Sequence, residues 1–401
     1  MRILVVTNLY PPQVRGGYEI ECHDAVEHLR RSHDVEVLTS GGAGPAREPG
    51  VHRTLPIVEE SRAGVVKAPL ATVRARRVVT DVLARHRPDL VFLWNGAGIP
   101  YSAVHALLAS GHPIAVRVCE QWIGGLFVDD MFARYLSGAQ RDAHPVWSGL
   151  VRGLNRLPGY RIAPHRPVAA AVSWNSEFLR GAVRLPPMLT AVLEDVTHPV
   201  TEASTSLVGC ERRPDPADPQ LLFVGRLSAE KGVDVAIRAV AELRRRGTTA
   251  RLQVVGGGEA RFVEGLRALA RRESVDDLVH LTGPLSGPDL RAEVTRASVW
   301  VVPSTWDEPA GMVALEAALA RVPLVASRVG GIPELLRDEA EALLFERGSV
   351  AGCADALARA LAGDADGAAR ADRAFARAHA IAADYPRRIE EFVAAAATSM
   401  T

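Results

Sequence analysis

The sequence predicts an α/β protein of two doubly wound domains, and three observations lead to this prediction. At 401 residues the chain is too long for one ordinary hydrophobic core. Each half opens with an apolar strand, a glycine-containing loop, a helical stretch and a second strand. A Ser- and Pro-rich stretch at 203–220, poor in large apolar side chains, separates the two openings. Two similar domains that face each other across a cleft are therefore expected.

The first opening begins with a continuous apolar run at 2–7, typical of a strand buried on both faces of a parallel sheet. A loop at 11–17, a helix at 18–31 and a strand at 35–39 follow. Further strands are predicted at 90–94, 114–118 and 169–172. Residues 124–167 interrupt the alternation, and we interpret them as an insertion with irregular helices.

The second opening comprises a strand at 221–224, a loop at 225–232, a helix at 233–246 and a strand at 252–255. The Ala- and Arg-rich end of the chain is predicted to be helical, with a kink or break at Tyr385-Pro386. The predicted boundaries are a first domain at 1–200, a linker at 201–220, a second domain at 221–380, and a final helix at 381–401 that packs back on the first domain.

The composition excludes several classes of partner. Lys plus Arg and Asp plus Glu both total 47, so the charge gives no case for a nucleic-acid partner. The four cysteines lack paired spacing, which favours a reducing compartment. The apolar start is too short for a signal peptide, and no apolar run approaches the ~20 residues of a transmembrane helix. We expect a cytoplasmic protein without a transmembrane segment, either a monomer or a homodimer.

Two basic residues stand in the loop that follows the strand at 221–224. Arg226 offers a planar fork for phosphate oxygens, Lys231 adds a mobile positive charge, and a helix begins directly afterwards. This pattern is typical of a phosphate site, although a solvated loop in an Arg-rich protein is equally compatible with it.

Two carboxylates flank the start of a helix predicted at 311–319. Glu308 lies in the loop before this helix, where it can accept hydrogen bonds from sugar hydroxyls, and Glu316 lies on its second turn. The backbone amides of Gly311, Met312 and Val313 suit a phosphate. The alternative is a loop acid stabilised by the helix dipole together with a surface glutamate.

In combination, these segments resemble a known family. Gly-Arg-Leu-x-x-x-Lys-Gly at 225–232, a glycine-rich turn at 254–259, Glu-x7-Glu at 308–316, Pro-Leu-Val-Ala-Ser at 323–327 and Gly-Gly-Ile-Pro-Glu at 330–334 occur in the order seen in retaining glycosyltransferases. The chain resembles glycosyltransferase family 4, which has the GT-B fold. A Pro-Pro-x-x-x-Gly-Gly loop near the N-terminus also matches.

The resemblance implies a set of roles for the donor, a nucleoside-diphosphate sugar of UDP or GDP. Arg226 and Lys231 would neutralise the diphosphate, Glu308 would bind the sugar hydroxyls and Glu316 the ribose hydroxyls. The resemblance further implies donor contacts from backbone at Gly16, Gly17, Gly256, Leu281, Gly283, Gly311, Met312 and Val313. It also implies a hexosyltransferase-like enzyme that retains the anomeric configuration and needs neither metal nor cofactor.

The sequence departs from the family pattern at two places. Position 310 is Ala where the family usually carries Phe, which predicts a more open wall beside the sugar. Cys119-Glu120 stands where many relatives carry His-Asp. Glu120 is predicted to orient the acceptor or to stabilise positive charge, whereas a strand-end cysteine such as Cys119 usually serves as a small hydrophobic residue.

The acceptor is predicted to bind the first domain. Its candidate contacts are Glu19, Trp94, Asn95, Glu120 and Trp122, with 124–167 as a lid. The two tryptophans suit stacking on a sugar or flat ring, and core packing is an equal alternative for each. A small-molecule acceptor is expected, and the Ala- and Arg-rich composition associates it with natural-product or antibiotic biosynthesis.

Other functions remain open at this stage. A sugar phosphorylase, a nucleotide-sugar epimerase and a catalytically silent sugar-nucleotide-binding protein share the predicted fold. A nicotinamide dehydrogenase is less compatible, because neither glycine loop has the dinucleotide-binding spacing. The adjacent acids Asp129 and Asp130 do not indicate a metal site, since neighbouring side chains on a strand point apart.

Overall fold

The structure is a computed structural model that describes residues 1–41, 48–57, 62–124, 167–363 and 366–400, with only the backbone at 62–69. The chain forms two compact units. The first comprises Met1–Pro199 and Tyr385–Thr401, and the second comprises Val200–Asp384. The insertion predicted at 124–167 lies outside the described residues except for its two end positions, and so do Asp129 and Asp130.

In its described part, the first unit contains a seven-stranded parallel sheet with the strand order β3-β2-β1-β4-β5-β6-β7. The strands are β1 (Arg2–Thr7), β2 (Asp34–Ser40), β3 (Val51–Leu55), β4 (Leu90–Asn95), β5 (Ile114–Val118), β6 (Val168–Trp174) and β7 (Leu189–Val196). The central strands β4 and β5 are buried at every residue, which explains their continuous apolar sequences. The edge strands β3 and β7 were not predicted. Both mix buried residues with partly or fully exposed ones, so neither has a continuous apolar run.

Helices connect these strands and cover the sheet. In the described part of the first unit, before its C-terminal segment, they are α1 (Gly17–Leu29), α2 (Arg62–His86), α3 (Tyr101–Leu108) and α4 (Glu177–Ala182). Helix α1 buries Cys22, Ala25, Val26 and Leu29, whose spacing places them on one face. None of the helices within the described ranges is long and apolar enough to cross a membrane.

The second unit, as far as it is described, contains a six-stranded parallel sheet with the strand order β10-β9-β8-β11-β12-β13. Its strands are β8 (Gln220–Val224), β9 (Arg251–Val255), β10 (Val279–Gly283), β11 (Ala297–Val302), β12 (Leu324–Ser327) and β13 (Leu343–Phe345). Its helices are α5 (Glu202–Thr205), α6 (Val233–Arg245), α7 (Ala260–Arg272), α8 (Gly287–Arg296), α9 (Met312–Leu319), α10 (Ile332–Leu335), α11 (Val350–Leu361) and most of α12 (Gly367–Thr398). The prediction of two doubly wound parallel-sheet domains is confirmed.

In each sheet the strand order reverses beside the first strand. Strand β1 lies between β2 and β4, and β8 lies between β9 and β11. Open α/β sheets bind ligands outside the carboxyl ends of the strands at such a switch point. The loops that follow β1, β4, β8 and β11 are therefore the places where binding side chains are expected.

The segment predicted as a linker at 201–220 is grouped with the second unit. It contains α5, whose N-terminus is capped by the Thr201 hydroxyl, which accepts a hydrogen bond from the Ser204 amide. Arg212 donates hydrogen bonds to the backbone carbonyls of Ala297 and Ser298. Much of this Ser- and Pro-rich stretch is thus anchored by hydrogen bonds that its composition did not reveal.

The last helix, α12, runs without interruption from Gly367 to Thr398 and contains Pro386 in its interior. Of the predicted kink or break at Tyr385-Pro386, the break is therefore wrong, and the kink stays a prediction. Residues of this helix up to Asp384 belong to the second unit and those from Tyr385 onward to the first. Within the first unit, Phe392 packs on Phe92 of β4, with ring centroids 5.8 Å apart.

A buried ion pair joins α1 to β5 in the first unit. Arg117 donates to Glu21 at 2.6 Å, and both side chains are 0% exposed. Arg117 also donates to the Ser173 hydroxyl and to the Thr197 carbonyl, each at 2.7 Å. The Tyr385 hydroxyl donates to Glu21 at 2.9 Å. Such a pair is tolerated in a core because further hydrogen bonds offset the loss of hydration.

Candidate functional site

The predicted donor residues of the second unit lie at the carboxyl edge of its sheet. The loop that carries Arg226 and Lys231 follows β8, and the loop that carries Glu308 follows the neighbouring strand β11. Because adjacent parallel strands end at the same edge, these two loops meet. The amide of Thr305 donates to the Glu230 carbonyl at 2.8 Å, so the two loops are joined through their backbones.

Lys231 and Glu308 form a direct ion pair at this edge. The ammonium group of Lys231 lies 2.8 and 3.0 Å from the two carboxylate oxygens of Glu308. The Ser304 hydroxyl donates to the same carboxylate at 2.5 Å. Lys231 also lies over the ring of Trp306, 5.2 Å from its centroid, as in a cation–π interaction. Two residues that the sequence assigned to different parts of the donor are thus brought together and oriented by each other.

The backbone of Glu308 is held by the glycine pair of the 330–334 motif. The Gly331 amide donates to the Glu308 carbonyl at 2.8 Å. Gly330 has a φ of +53°, and a Cβ at this position would lie 2.0 Å from the Glu308 carbonyl oxygen. Only glycine combines this conformation with so close an approach. The motif therefore acts on the site by fixing the position of Glu308.

Arg226 is the most exposed of the predicted donor side chains in this loop. Its guanidinium donates to Glu230 at 3.0 Å, and its side chain is 55% exposed. Glu230 had no predicted role, because its position varies within the family motif. An exposed guanidinium retains most of its five donors for a ligand, as recognition of a phosphate requires.

Three positions predicted to contact the donor through their backbone, Gly256, Leu281 and Gly283, lie at the ends of β9 and β10. The pairing of these strands places Leu281 opposite Val254 and Gly283 opposite Val255. The Gly256 amide donates to the Gly283 carbonyl at 2.9 Å. Gly256 has a φ of +149°, and a Cβ there would lie 1.8 Å from the Gly225 carbonyl oxygen. A glycine is therefore required where the β9 turn meets the loop that carries Arg226.

Glu316 lies on α9 beside the short helix α5. The Ser204 hydroxyl donates to its carboxylate at 3.1 Å. Burial raises the pKa of Glu316 to about 7, and the hydrogen bond from Ser204 opposes that rise. A carboxylate in these surroundings suits paired hydroxyl donors. Ser204 was not predicted, since it belongs to the stretch interpreted as a linker.

Helix α9 begins at Met312, and Gly311 is its N-cap. The first amides of a helix have no acceptor within the helix, so Met312 and Val313 suit an anion as predicted. Ala310 is only 5% exposed. The smaller side chain at this position, where the family usually has Phe, is therefore enclosed by its neighbours.

In the first unit, a polar network lies at the carboxyl ends of β1, β4 and β5. Asn95 ends β4, and its side-chain amide donates to Glu120 at 3.0 Å. The Ala97 amide donates to the Asn95 side-chain carbonyl at 2.8 Å. Asn8, which follows β1, donates from its side chain to the Ala97 carbonyl at 3.0 Å. Glu120 is partly exposed, whereas Asn95 is fully buried.

Three predicted acceptor contacts prove to be buried structural residues. Glu19 is 0% exposed and accepts a hydrogen bond from the Gly16 amide at 2.8 Å, so it caps α1. Trp94 is also 0% exposed and packs against Phe92 and Arg117. Trp122 is buried against Gly96, where a Cβ would lie 2.6 Å from the indole ring. The core therefore engages Trp94 and Trp122, as in the core-packing alternative, and a helix cap engages Glu19. Contact of these three side chains with an acceptor stays a prediction.

Cys119 and Tyr18 both lie close to Glu120, and the structure shows the surroundings of each. Cys119 is buried, and burial raises the pKa of its thiol well above the usual range, which agrees with its interpretation as a small hydrophobic residue. Tyr18 was not predicted, although it lies close to Asn8, Glu19 and Glu120. Burial raises the pKa of its phenol, and Glu120 and Glu19 raise it further. The donor contacts expected of Gly16 and Gly17 at the start of α1 stay predictions.

Comparison with known proteins extends these observations. A family model described as "Glycosyl transferases group 1" matches residues 218–363. The chain is 29% identical to a glycogen synthase of Mycobacterium tuberculosis, over 93% of this chain and 89% of the relative. It is also 29% identical to a GDP-mannose-dependent alpha-(1-6)-phosphatidylinositol monomannoside mannosyltransferase of the same organism, over 90% of this chain and 89% of the relative.

Solved structures show the same fold. HepE of Anabaena, in complex with UDP and glucose, has a TM-score of 0.66 at 18% identity, covering 98% of this chain and 99% of that one. Sucrose-phosphate synthase of Thermosynechococcus elongatus has a TM-score of 0.69 at 20% identity, with the same coverage of both chains. The chain therefore has the GT-B fold.

Proposed function

We propose that this chain, a glycosyltransferase of the GT-B type, transfers a sugar from a nucleoside-diphosphate sugar to a hydroxyl-bearing small molecule and retains the anomeric configuration. The observation that carries the proposal is the convergence of Arg226, Lys231 and Glu308 at the carboxyl edge of the second sheet. Cations and a sugar-binding carboxylate at one edge match the chemistry of such a donor.

The leaving group determines where the catalytic charge is needed. As the glycosidic bond breaks, negative charge grows on the departing diphosphate. Arg226, Lys231 and the first amides of α9 are proposed to stabilise that charge, which is usually the largest contribution to catalysis. The bond between the anomeric carbon and phosphate oxygen breaks while a bond to the acceptor oxygen forms on the same face. The acceptor proton passes to the departing phosphate oxygen, so the step needs no pair of catalytic carboxylates.

The second unit supplies the donor site and the first unit the acceptor site in this proposal. Glu308 accepts hydrogen bonds from the donor sugar, and Glu316 accepts them from the ribose. Glu120 is the partly exposed carboxylate of the first unit's polar network, and we propose that it orients the acceptor. UDP and GDP both stay candidates, since relatives carry names or ligands of both kinds.

Incubation with labelled UDP-glucose and GDP-mannose tests the proposed activity. We expect a glycosylated product when acceptor is added. The NMR spectrum of this product should show the same anomeric configuration as the donor sugar. Conversion of the donor sugar without acceptor would indicate an epimerase, and dependence on inorganic phosphate would indicate a phosphorylase. A thermal-shift screen of nucleoside diphosphates identifies the base, because a ligand stabilises the state that it binds.

Donor affinity is expected to rise with pH through Glu316. Its pKa of about 7 means that the carboxylate is mostly protonated at pH 6 and mostly ionised at pH 8. If only the ionised form binds the ribose diol fully, affinity should increase about tenfold across this interval. Binding of an intact sugar nucleotide, whose charge is constant over the interval, measures the effect. Glu316→Gln should make the profile flat, and an unchanged slope in that variant would contradict the assignment.

Glu316 is also expected to make the folded state less stable as pH rises, which is opposite in sign to its effect on donor affinity. Its pKa is higher in the folded chain than the usual value, so the folded state binds the proton more tightly. The stabilising contribution is present at about pH 4.5 and is lost as pH rises toward 7. Donor binding and stability therefore respond to pH with opposite signs, which separates the two effects in one titration.

Removal of divalent metal is expected to leave sugar transfer unchanged. In the proposed site, side-chain cations and helix amides neutralise the diphosphate. The rate after dialysis against EDTA should equal the rate with added Mg²⁺ or Mn²⁺. A loss of about tenfold or more that either metal restores would overturn this prediction.

A further inference from the structure

We infer that Asn95 is a positioning residue that determines which atom Glu120 presents to the acceptor. The inference deepens the proposed function and rests on it. Asn95 is 0% exposed, so it cannot contact the acceptor as the sequence suggested. Among the described residues, its side-chain amide donates to the partly exposed Glu120, whose Oε1 accepts the hydrogen bond at 3.0 Å, and through this contact Asn95 can act on the reaction.

The orientation of the Asn95 side chain is fixed by the backbone. The Ala97 amide donates to Asn95 Oδ1 at 2.8 Å, so this atom must be the carbonyl oxygen. The NH₂ group is consequently directed to Glu120 and can only donate. Ala97 is itself held by the hydrogen bond from Asn8 to its carbonyl oxygen. Asn8, after β1, thus holds the turn that follows β4, and Asn95 at the end of β4 holds the carboxylate of Glu120, which follows β5.

The two carboxylate oxygens of Glu120 consequently have different hydrogen-bond partners. Oε1 is engaged by Asn95, and none of the described residues donates to Oε2. Glu120 is partly exposed, so Oε2 is the atom left for a ligand. A carboxylate oxygen only accepts hydrogen bonds. The group that binds here is therefore a donor, a hydroxyl or ammonium group of the acceptor, and a phosphate or carboxylate group is repelled.

This arrangement predicts an unusual result for paired substitutions. In Glu120→Gln, the new amide must keep its carbonyl oxygen toward Asn95, so it presents NH₂ to the acceptor. In Asn95→Asp, a carboxylate faces Glu120 and repels it, while the bond from Ala97 is retained. In the double variant Asn95→Asp/Glu120→Gln, the new carboxylate accepts from the amide at 120, which turns its carbonyl oxygen to the acceptor. An acceptor atom is restored at the position of Oε2.

Sugar transfer to glycerol, used as a probe acceptor, measures the effect, with UDP-glucose or GDP-mannose as saturating donor, whichever the wild type uses. Each single variant is expected to lose about tenfold or more in kcat/KM for glycerol, the cost of one lost or reversed hydrogen bond. The double variant should be more active than either single variant. If Asn95 has a merely structural role, the losses multiply and the double variant is the least active, which overturns the inference.

Two controls separate this inference from the proposed function and from misfolding. Donor binding, followed by the thermal shift with UDP or GDP, whichever stabilises the wild type, should be the same in the wild type and all three variants. Wild-type protein that binds UDP or GDP but transfers no sugar to any acceptor contradicts the proposed function itself. If the wild type transfers sugar and the losses of the two single variants in kcat/KM multiply in the double variant, only the role of Asn95 is contradicted. Glycerol 3-phosphate should be a poorer acceptor than glycerol for the wild type, and a preference for the phosphate would contradict the inferred class of acceptor.

Discussion

Lys231→Ala is expected to lower the turnover of sugar transfer by about 10²–10³-fold, the loss typical of one preorganised donor at a developing anion. Lys231 combines two tasks in the site. It supplies positive charge to the diphosphate, and its ammonium group holds both carboxylate oxygens of Glu308 at 2.8 and 3.0 Å. Its removal therefore affects the leaving group and the sugar-binding carboxylate together. Steady-state kinetics with the donor and acceptor identified by screening measure the change.

Two controls make the expected loss specific. Arg238→Ala removes a surface cation from the same unit and breaks its ion pair with Asp234, which leaves the site intact, so near-normal turnover is expected. Lys231→Arg preserves the charge but changes the donor geometry, so an intermediate rate is expected. The thermal midpoint of each variant reports whether the unit is folded. Folded Lys231→Ala with wild-type turnover would falsify the donor-site assignment.

Arg117→Ala is expected to reduce the free energy of unfolding by about 3–5 kcal/mol, the usual cost of removing one partner of a buried ion pair. The substitution leaves Glu21 without its guanidinium partner in a fully buried position. Burial raises the pKa of Glu21, and Arg117 opposes that rise, so the variant should take up a proton on Glu21. Chemical denaturation of the wild type and the variant measures the loss in the free energy of unfolding.

Comparison variants test whether the loss comes from the buried charge. Arg74→Ala removes an exposed arginine of α2 and should change stability by about 0.5 kcal/mol or less. The double variant Arg117→Met/Glu21→Gln removes both charges and should recover part of the loss. An effect of Arg117→Ala as small as that of Arg74→Ala would show that the pair contributes little to folding.

The sequence predicted most of the second unit's site because the relevant residues are local. Arg226 and Lys231 follow one buried strand, and Glu308 follows another. Parallel strands place their following loops at a common edge whatever the details of packing. The edge that carries these loops could thus be predicted from periodicity, whereas the roles of the residues on it came from the resemblance to a glycosyltransferase family.

The first unit was predicted less well for a physical reason. Trp94 and Trp122 lie near the ends of β4 and β5, and Glu19 lies in the first turn of α1. At each of these places, ligand contact and burial give the same sequence pattern. Each is engaged by residues distant from it along the chain or by a helix cap. Tyr18 and Asn8 carried no signal beyond their position near the first glycine loop.

The sequence by itself determined two parallel-sheet domains and the positions of the loops that carry the candidate chemistry, because alternation of apolar strands and helices is a local property. Only the tertiary structure decided which side chains act on one another. Lys231 pairs with Glu308, 77 positions away, and Asn95 orients Glu120 across two strands. These pairings depend on the distances between chain segments after packing, which spacing along the chain does not contain.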